Sequence, residues 1–294
     1  MRYAITHVTT YNYSDEVSVS HHLARLRPRR LPGQRCLRYA EKIEPVPASR
    51  SEHDDYFGNA ATFFAIHEPH ERLQVRVHSE VDVSISDMPP AAESLAWEKV
   101  RDGFVNDPGP EALAAYEFVF DSVLIRTAAR FAAYAAESFP ARRPLLEGVI
   151  DLTRRIHEDF TFDPRATSVA TPLNEVFESR RGVCQDFAQL QIACLRSLGL
   201  AARYVSGYLE TNPPADRPRL AGADASHAWV SVYCPGPGWI DVDPTNNLAP
   251  ANRHITLAWG RDFSDVSPIR GVILGGGEHA VKVAVDVVAL EDDE

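Results

Sequence analysis

The segment Arg180-Arg181-Gly182-Val183-Cys184-Gln185-Asp186-Phe187 leaves a glycine turn and enters an amphipathic run. Phe187, Leu190, Cys194, Leu195 and Leu198 recur at helical spacing and Gly199 ends the run, so a helix starts close to Cys184. A thiol in the first turn of a helix faces unpaired backbone N–H groups and the positive end of the macrodipole. Both favour the thiolate, which is the form that attacks. Downstream, Ser226-His227-Ala228-Trp229 offers an imidazole, and Trp239-Ile240-Asp241-Val242-Asp243-Pro244-Thr245 offers carboxylates. Cys, His and Asp in that order can form a nucleophile, its base and the group that orients the base. The chain reads as an enzyme.

Period-two alternation along 226–234 puts Ala228, Val230, Val232 and Cys234 on one face, suited to packing against the body. His227, Trp229, Ser231 and Tyr233 take the other face. Asp243 follows the Pro235-Gly236-Pro237-Gly238 turn and falls on the neighbouring strand if the two form a hairpin. There it can accept Nδ1–H of His227 and hold Nε2 toward Cys184. Asp241 shares that face, and Asp243 is preferred because Pro244 ends the strand. On its residues alone, Cys184 stands equally as nucleophile or small core residue. Cys194 and Cys234 read as core. The remaining histidines, His254 among them, read as surface or satisfied core residues. His21-His22 and His67/His70 lack a matching set of further metal ligands.

Composition bounds the alternatives. The 294 residues are 45% hydrophobic and 24% charged, as in ordinary globular proteins with room for two structural units. A net charge of −11 argues against nucleic acid, which needs clustered cations. The arginines between Arg25 and Arg38 are broken up by Leu26, Pro28, Leu31 and Pro32 and read as a solvated strand-and-turn surface. No apolar stretch approaches the roughly 18 residues of a membrane span. The start of the chain lacks a signal-peptide core, and four scattered cysteines form no CxxC pair. A cytoplasmic protein with reduced thiols is the expectation.

Along the chain, residues 1–86 read as an antiparallel β-sandwich. Tyr3, Ile5, Thr9, Tyr11 and Tyr13 alternate in its first segment, and Leu73, Val75, Val77, Val81 and Val83 in its last. Asp87-Met88-Pro89-Pro90 marks a boundary, after which residues 87–270 carry helices and then strands. Leu145, Val149, Leu152 and Ile156 form one helical stripe. Thr171 and Pro172 open a helix that ends near Gly182. Strands follow over 202–209, 226–234 and 239–243, with a proline-rich loop at 212–219 as one possible rim of a cleft. Residues 271–294 hold a Gly275-Gly276-Gly277 hinge, a strand through Val281, Val283, Val285 and Val287, and an acidic tail. Pairing of that strand with the N-terminal sandwich is expected.

Four blocks resemble the bacterial transglutaminase-like proteins of the papain-like cysteine-enzyme superfamily. They are Arg181 to Ala188, Ala202-Arg203-Tyr204-Val205-Ser206-Gly207-Tyr208, Ser226 to Val230, and Trp239 to Asn246. Tyr56-Phe57-Gly58-Asn59 and Gly260-Arg261-Asp262-Phe263-Ser264-Asp265-Val266 are similar to the same subgroup. The resemblance implies an α+β fold: an N-terminal β-sandwich, then a core in which a helix-borne Cys packs on an antiparallel sheet bearing His and Asp. It implies Cys184 as nucleophile, His227 as base and Asp243 as orienter, with Gln185, Tyr204 and Trp229 as oxyanion or cleft candidates. No metal or organic cofactor is implied. The partner implied is a protein or peptide amide, with an amine as possible second substrate and neither nucleic acid nor membrane. Hydrolysis, as in a cysteine protease, ranks slightly ahead of transamidation, and an idle peptide-binding scaffold is the alternative class. Two positions depart from the pattern. Glu178 stands where papain-type enzymes carry an oxyanion Gln, and Phe162 where many relatives carry Tyr.

Overall fold

The computed structural model describes residues 1–84, 88–106, 109–211 and 225–290. The expected boundary residue Asp87, the proline-rich stretch 212–219 and the acidic tail 291–294 lie outside them. Five strands come first: β1 (Arg2–Ala24), β2 (Gln34–Glu44), β3 (Ser49–Asp54), β4 (Ala60–Ile66) and β5 (His70–Val83). Helices α1 (Trp97–Asn106), α2 (Pro110–Tyr116), α3 (Ala129–Ala136) and α4 (Leu145–Asp159) follow. Two-residue β6 (Thr161–Phe162) and β7 (Arg181–Gly182) pair in parallel around α5 (Leu173–Ser179), and α6 (Cys184–Ser197) comes next. A second sheet is built from β8 (Ala202–Leu209), β9 (Ala225–Cys234), β10 (Gly238–Val242) and β11 (His254–Gly260). The chain ends through α7 (Phe263–Val266), β12 (Ile269–Gly275) and β13 (His279–Leu290).

β1 organises the N-terminal unit because it runs through both of its layers. Its first half lies between β5 and β13, its second between β4 and β12, and the register shifts between Asn12 and Val17. β2 extends one layer from β5 and β3 extends the other from β4. The seven strands form one antiparallel sheet folded about β1 into a sandwich whose two layers share that strand. Tyr13, Val17, Ile43, Phe64, Ile66, Leu73, Val75 and Val77 fill the space between them. Tyr3, Ile5, Val81, Val83, Val285 and Val287 belong instead to the main core, with the helices and the second sheet.

β12 gave no signal in the sequence. Five of its seven positions are exposed, so no inside–outside alternation marks it, yet it pairs with β1 from Val17 to Ala24. The Gly275-Gly276-Gly277 run turns the chain with φ of 92°, 88° and 56°, values that glycine adopts without strain. α5 is shorter than the sequence suggests. It starts after Pro172 and stops at Ser179, because Arg180 takes the left-handed conformation (φ 56°) and the chain then turns into β7.

The second sheet has the order β10-β9-β8-β11. α6 lays Phe187, Leu190 and Ala193 on one face of it, against the Ala228, Val230 and Val232 side of β9. β11 is the edge strand, and an edge strand needs partners for its outward N–H and C=O groups. Two side-chain amides supply them. Gln34 donates Nε2–H to the Thr256 carbonyl at 2.8 Å and accepts Thr256 N–H at 2.8 Å. Asn59 donates Nδ2–H to the Trp259 carbonyl at 2.8 Å and accepts Trp259 N–H at 2.9 Å. Each amide acts as one residue of a missing strand.

Replacing Asn59, which is fully buried, with Leu should strand both Trp259 groups. The expected loss is about 1–3 kcal/mol per buried unsatisfied group, read as a lower urea midpoint. An unchanged midpoint would remove this amide from the support of β11.

Candidate active site

Three local devices fix the start of α6. Val183 is extended at the N-cap (φ −117°, ψ 179°). Its N–H donates to Asp186 Oδ2 at 2.9 Å, so the third helical residue satisfies the cap. Thr167 Oγ1 donates to the same oxygen at 2.6 Å and ties the 163–172 segment to the helix. Gly182 leaves room for this arrangement, since a Cβ there would meet Asp186 Oδ2 at 2.8 Å. Burial pushes the Asp186 pKa up, and these hydrogen bonds work the other way. Cys184 is the first residue of the helix, half-buried and not in a disulfide.

The structure brings Cys184, His227 and Asp243 together. His227, at the start of β9, lies close enough to Cys184 for the two to interact electrostatically and donates Nε2–H to Asp243 Oδ2 at 2.7 Å. The ring is therefore turned the other way from the sequence expectation: Nε2 faces the carboxylate, leaving Nδ1 for the sulfur. Asp243 sits just beyond β10 and is completely buried. Five donors converge on it. His227 Nε2, Asn246 Nδ2 (2.7 Å) and His254 Nε2 (3.2 Å) reach Oδ2, while the N–H groups of Thr245 (2.9 Å) and Asn246 (3.2 Å) reach Oδ1.

Burial disfavours both charged groups, and the pairing outweighs it. The hydrogen bond to Asp243, with the charges of Asp243 and Cys184, lifts the His227 pKa to about 10. The hydrogen bonds from His227, His254 and Asn246, with the His227 charge, hold the Asp243 carboxyl well below the usual carboxylate range.

His254 is the residue that sequence reasoning missed. It is 3% exposed, opens β11, and packs edge-on against Trp229 with ring centroids 5.2 Å apart. Its Nδ1 is buried without a partner. A proton there would be an unsatisfied buried donor, so the neutral ring carries its hydrogen on Nε2 and donates it to Asp243. His227, Asp243 and His254 are also the one group of three metal-type donors found among the described residues, all within 4.8 Å. Both imidazole nitrogens meet the same carboxylate oxygen at hydrogen-bond distance, so the arrangement is complete as a hydrogen-bonded cluster.

The other expected residues fall in different places. Trp229 does not line a cleft: it is fully buried and donates Nε1–H to Asp241 Oδ2 at 2.9 Å. This separates the two carboxylates, since Asp241 serves the indole and Asp243 the imidazole. Tyr204 is 2% exposed, and burial with the nearby charges of Cys184, Asp186 and Asp262 raises its pKa, so its hydroxyl stays protonated beside the thiol. Gln185 is half-buried next to Cys184, with no side-chain hydrogen bond among the described residues. Glu178 is on the surface and pairs with Arg130 at 3.0 Å. Phe162 is 52% exposed on β6.

A model described as "Bacterial transglutaminase-like N-terminal region" matches residues 3–82, and one described as "Transglutaminase-like superfamily" matches residues 132–244. An uncharacterized protein of Mycobacterium tuberculosis is 44% identical over 99% of this chain and 94% of its own length. One from Mycobacterium leprae is 31% identical over 98% and 99%. A protein-glutamine gamma-glutamyltransferase of Pseudomonas aeruginosa is 39% identical over 34% of this chain and 15% of its own. The crystal structure named "a Putative Cysteine Protease from Cytophaga hutchinsonii" superposes with a TM-score of 0.78 at 23% identity, covering 100% of this chain and 92% of that one. At that identity the likeness establishes a shared fold.

Two outcomes follow for the cluster. His227 has a folded pKa above its unfolded value of about 6.5. The stability this gives is fully present below about pH 6.5 and lost as the pH rises through about 10. Urea midpoints at pH 6 and pH 10 should therefore differ more in the native chain than in Asp243→Asn, and equal differences would count against the pairing. His254→Phe should slow iodoacetamide alkylation of Cys184 by about tenfold, the worth of one hydrogen bond to a charged group at about 1.5 kcal/mol. His254→Gln, which retains an N–H donor, should recover most of that rate, and identical behaviour of the two variants would reduce His254 to packing.

Proposed function

The chain belongs to the transglutaminase-like superfamily and carries its bacterial N-terminal region, and from that premise we propose that it is a thiol-dependent acyl-transfer enzyme acting on an amide bond of a protein or peptide. The placing of Cys184 at the start of α6 beside His227, whose ring is held by Asp243 at 2.7 Å, is the observation that supports this reading. In the first step the Cys184 thiolate attacks the amide carbonyl carbon. The tetrahedral intermediate collapses, its C–N bond breaks, and the His227 imidazolium gives its proton to the leaving nitrogen. A thioester and a free amine or ammonia result. In the second step His227, now neutral, takes a proton from water; the hydroxyl adds to the thioester carbon, and the acid and the thiolate are released.

The first turn of α6 supplies the Cys184 N–H toward the developing oxyanion. The protonated Tyr204 hydroxyl and the free Gln185 amide are the second donors this reading offers. Hydrolysis is the primary reading because it needs no second bound substrate at the thioester. Transamidation uses the same first step with an amine in place of water, and the likeness to a gamma-glutamyltransferase over about a third of the chain favours it as the second reading.

Iodoacetamide at pH 6 separates an enzyme from an idle scaffold. Cys184 should react fast and slow sharply in His227→Ala. Cys194 and Cys234 are completely buried, with thiol pKa values raised by burial, and burial raises that of Cys36 as well. Uniformly slow labelling of all four would refute the enzyme. Given a protein substrate and a fluorescent primary amine, release of new peptides or ammonia without label marks hydrolysis, and incorporated label marks transamidation. Asp243→Asn should keep the fold and cut either turnover by about 10⁴, as wrong-tautomer variants of related triads do. Turnover within a few-fold of native would move the orienting role elsewhere.

A further inference from the structure

Two motifs singled out in the sequence, Tyr56-Phe57-Gly58-Asn59 and Gly260 to Val266, are not used by the chemistry above. The fold brings them to one cavity of about 400 Å³ between the N-terminal sheet and the core. It is lined by Arg25, Asp55, Tyr56, Glu117, Arg261, Asp265 and Arg270, with Phe57. Arg261 follows the end of β11, whose opposite end carries His254. A seven-residue strand spans roughly 20 Å at about 3.3 Å per residue, so the cavity is remote from Cys184, His227 and Asp243.

Formal charges in the lining balance, but hydrogen-bonding capacity does not. Two of the three carboxylates are fully engaged. Asp55 accepts from Phe57 N–H (3.0 Å) and Asn59 N–H (3.0 Å) on Oδ1, and from Arg25 Nε (2.7 Å) and Asn59 Nδ2 (3.1 Å) on Oδ2. Asp265 accepts from Arg261 N–H, Nε and Nη2 at 3.0, 2.9 and 3.1 Å. Glu117 lies near the Tyr56 hydroxyl and raises its pKa. The guanidiniums keep donors in hand. Arg25 is 5% exposed, and its Nη1 is buried with no partner. Among the described residues the Arg270 guanidinium makes one long bond, Nη1 to the Ser264 carbonyl at 3.4 Å. A buried guanidinium N–H without an acceptor is costly, and the ligand that relieves it is an oxygen anion, which guanidinium planes also match in geometry. Tyr56, 82% exposed, stands at the rim.

We propose that this cavity is an anion-binding site, separate from the thiol centre, that takes a carboxylate or phosphate on Arg25 and Arg270. It would hold either a small free anion or the terminal carboxylate of a peptide bound outside the reaction centre. The test uses the whole chain and calorimetric titration with inorganic phosphate, with N-acetyl-dialanine, and with the amide of that dipeptide. Saturable binding of phosphate or of the free acid, but not of the amide, is expected, and the tighter of the two identifies the source. Arg270→Ala, on an exposed side chain, should weaken binding at least tenfold while Cys184 alkylation by iodoacetamide stays unchanged. Arg25→Gln should do the same where it folds. Absence of saturable binding by either anion, or binding undiminished in Arg270→Ala, overturns the proposal.

Discussion

One completely buried carboxylate sets the terms for the candidate site. An ionised group with no access to water is tolerated only when hydrogen bonds replace its hydration. Asp243 meets that condition with five donors from three places: the strand β9 through His227, its own turn through Thr245 and Asn246, and the edge strand β11 through His254. Satisfying the charge and locating the imidazole are therefore the same act. The ring cannot rotate away from Oδ2 without removing one of the donors that replace the carboxylate's hydration, and β11 cannot drift without removing another. Trp229, pinned by Asp241 and packed edge-on against His254, closes the underside.

The thiol end is fixed by a separate and more local device. The N–H of Val183, the Asp186 carboxylate and the Thr167 hydroxyl form one cap, and Gly182 is there because a Cβ would strike that carboxylate. This is why the helix start at Cys184 is legible from its neighbours. Glycine, acidic third residue and apolar periodicity all lie within a few positions of the sulfur. The hairpin joining His227 to Asp243 was likewise visible, because one turn of glycines and prolines separates its strands and alternation fixes which side chains share a face.

What could not be read depends on pairings distant in sequence. His254 matters only because β11 lies beside β8, which no local pattern announces. The choice of imidazole nitrogen follows from the path of the ring between helix and turn, and alternation specifies a face without specifying a rotation. Alternation puts Trp229 on the face it shares with His227 but does not reveal that this part of the face is buried. That face also carries Arg203, stacked between Trp239 and Trp259 at 4.1 and 3.7 Å, with Arg29 of the N-terminal unit on the other ring contact of Trp259 at 3.5 Å. Layers contributed by remote segments bury it. β12 went unseen for the opposite reason, since a mostly exposed strand leaves no alternation to detect.

The N-terminal sandwich is then more than an appended unit. β11 ends the second sheet, and its outward groups are met by Gln34 and Asn59 from the sandwich, with Arg29 N–H adding a bond to the Thr256 carbonyl at 3.0 Å. Asn59 also accepts from Arg29 Nη1 and donates to Asp55, so the turn that presents it is itself held in shape. The chain of constraint runs from this turn to β11, from β11 through His254 to Asp243, and from Asp243 to the imidazole. A side-chain amide suits the role better than another strand would. It satisfies one residue of the edge, tolerates the twist of β11, and leaves the strand free to end at Gly260, where the chain leaves for α7.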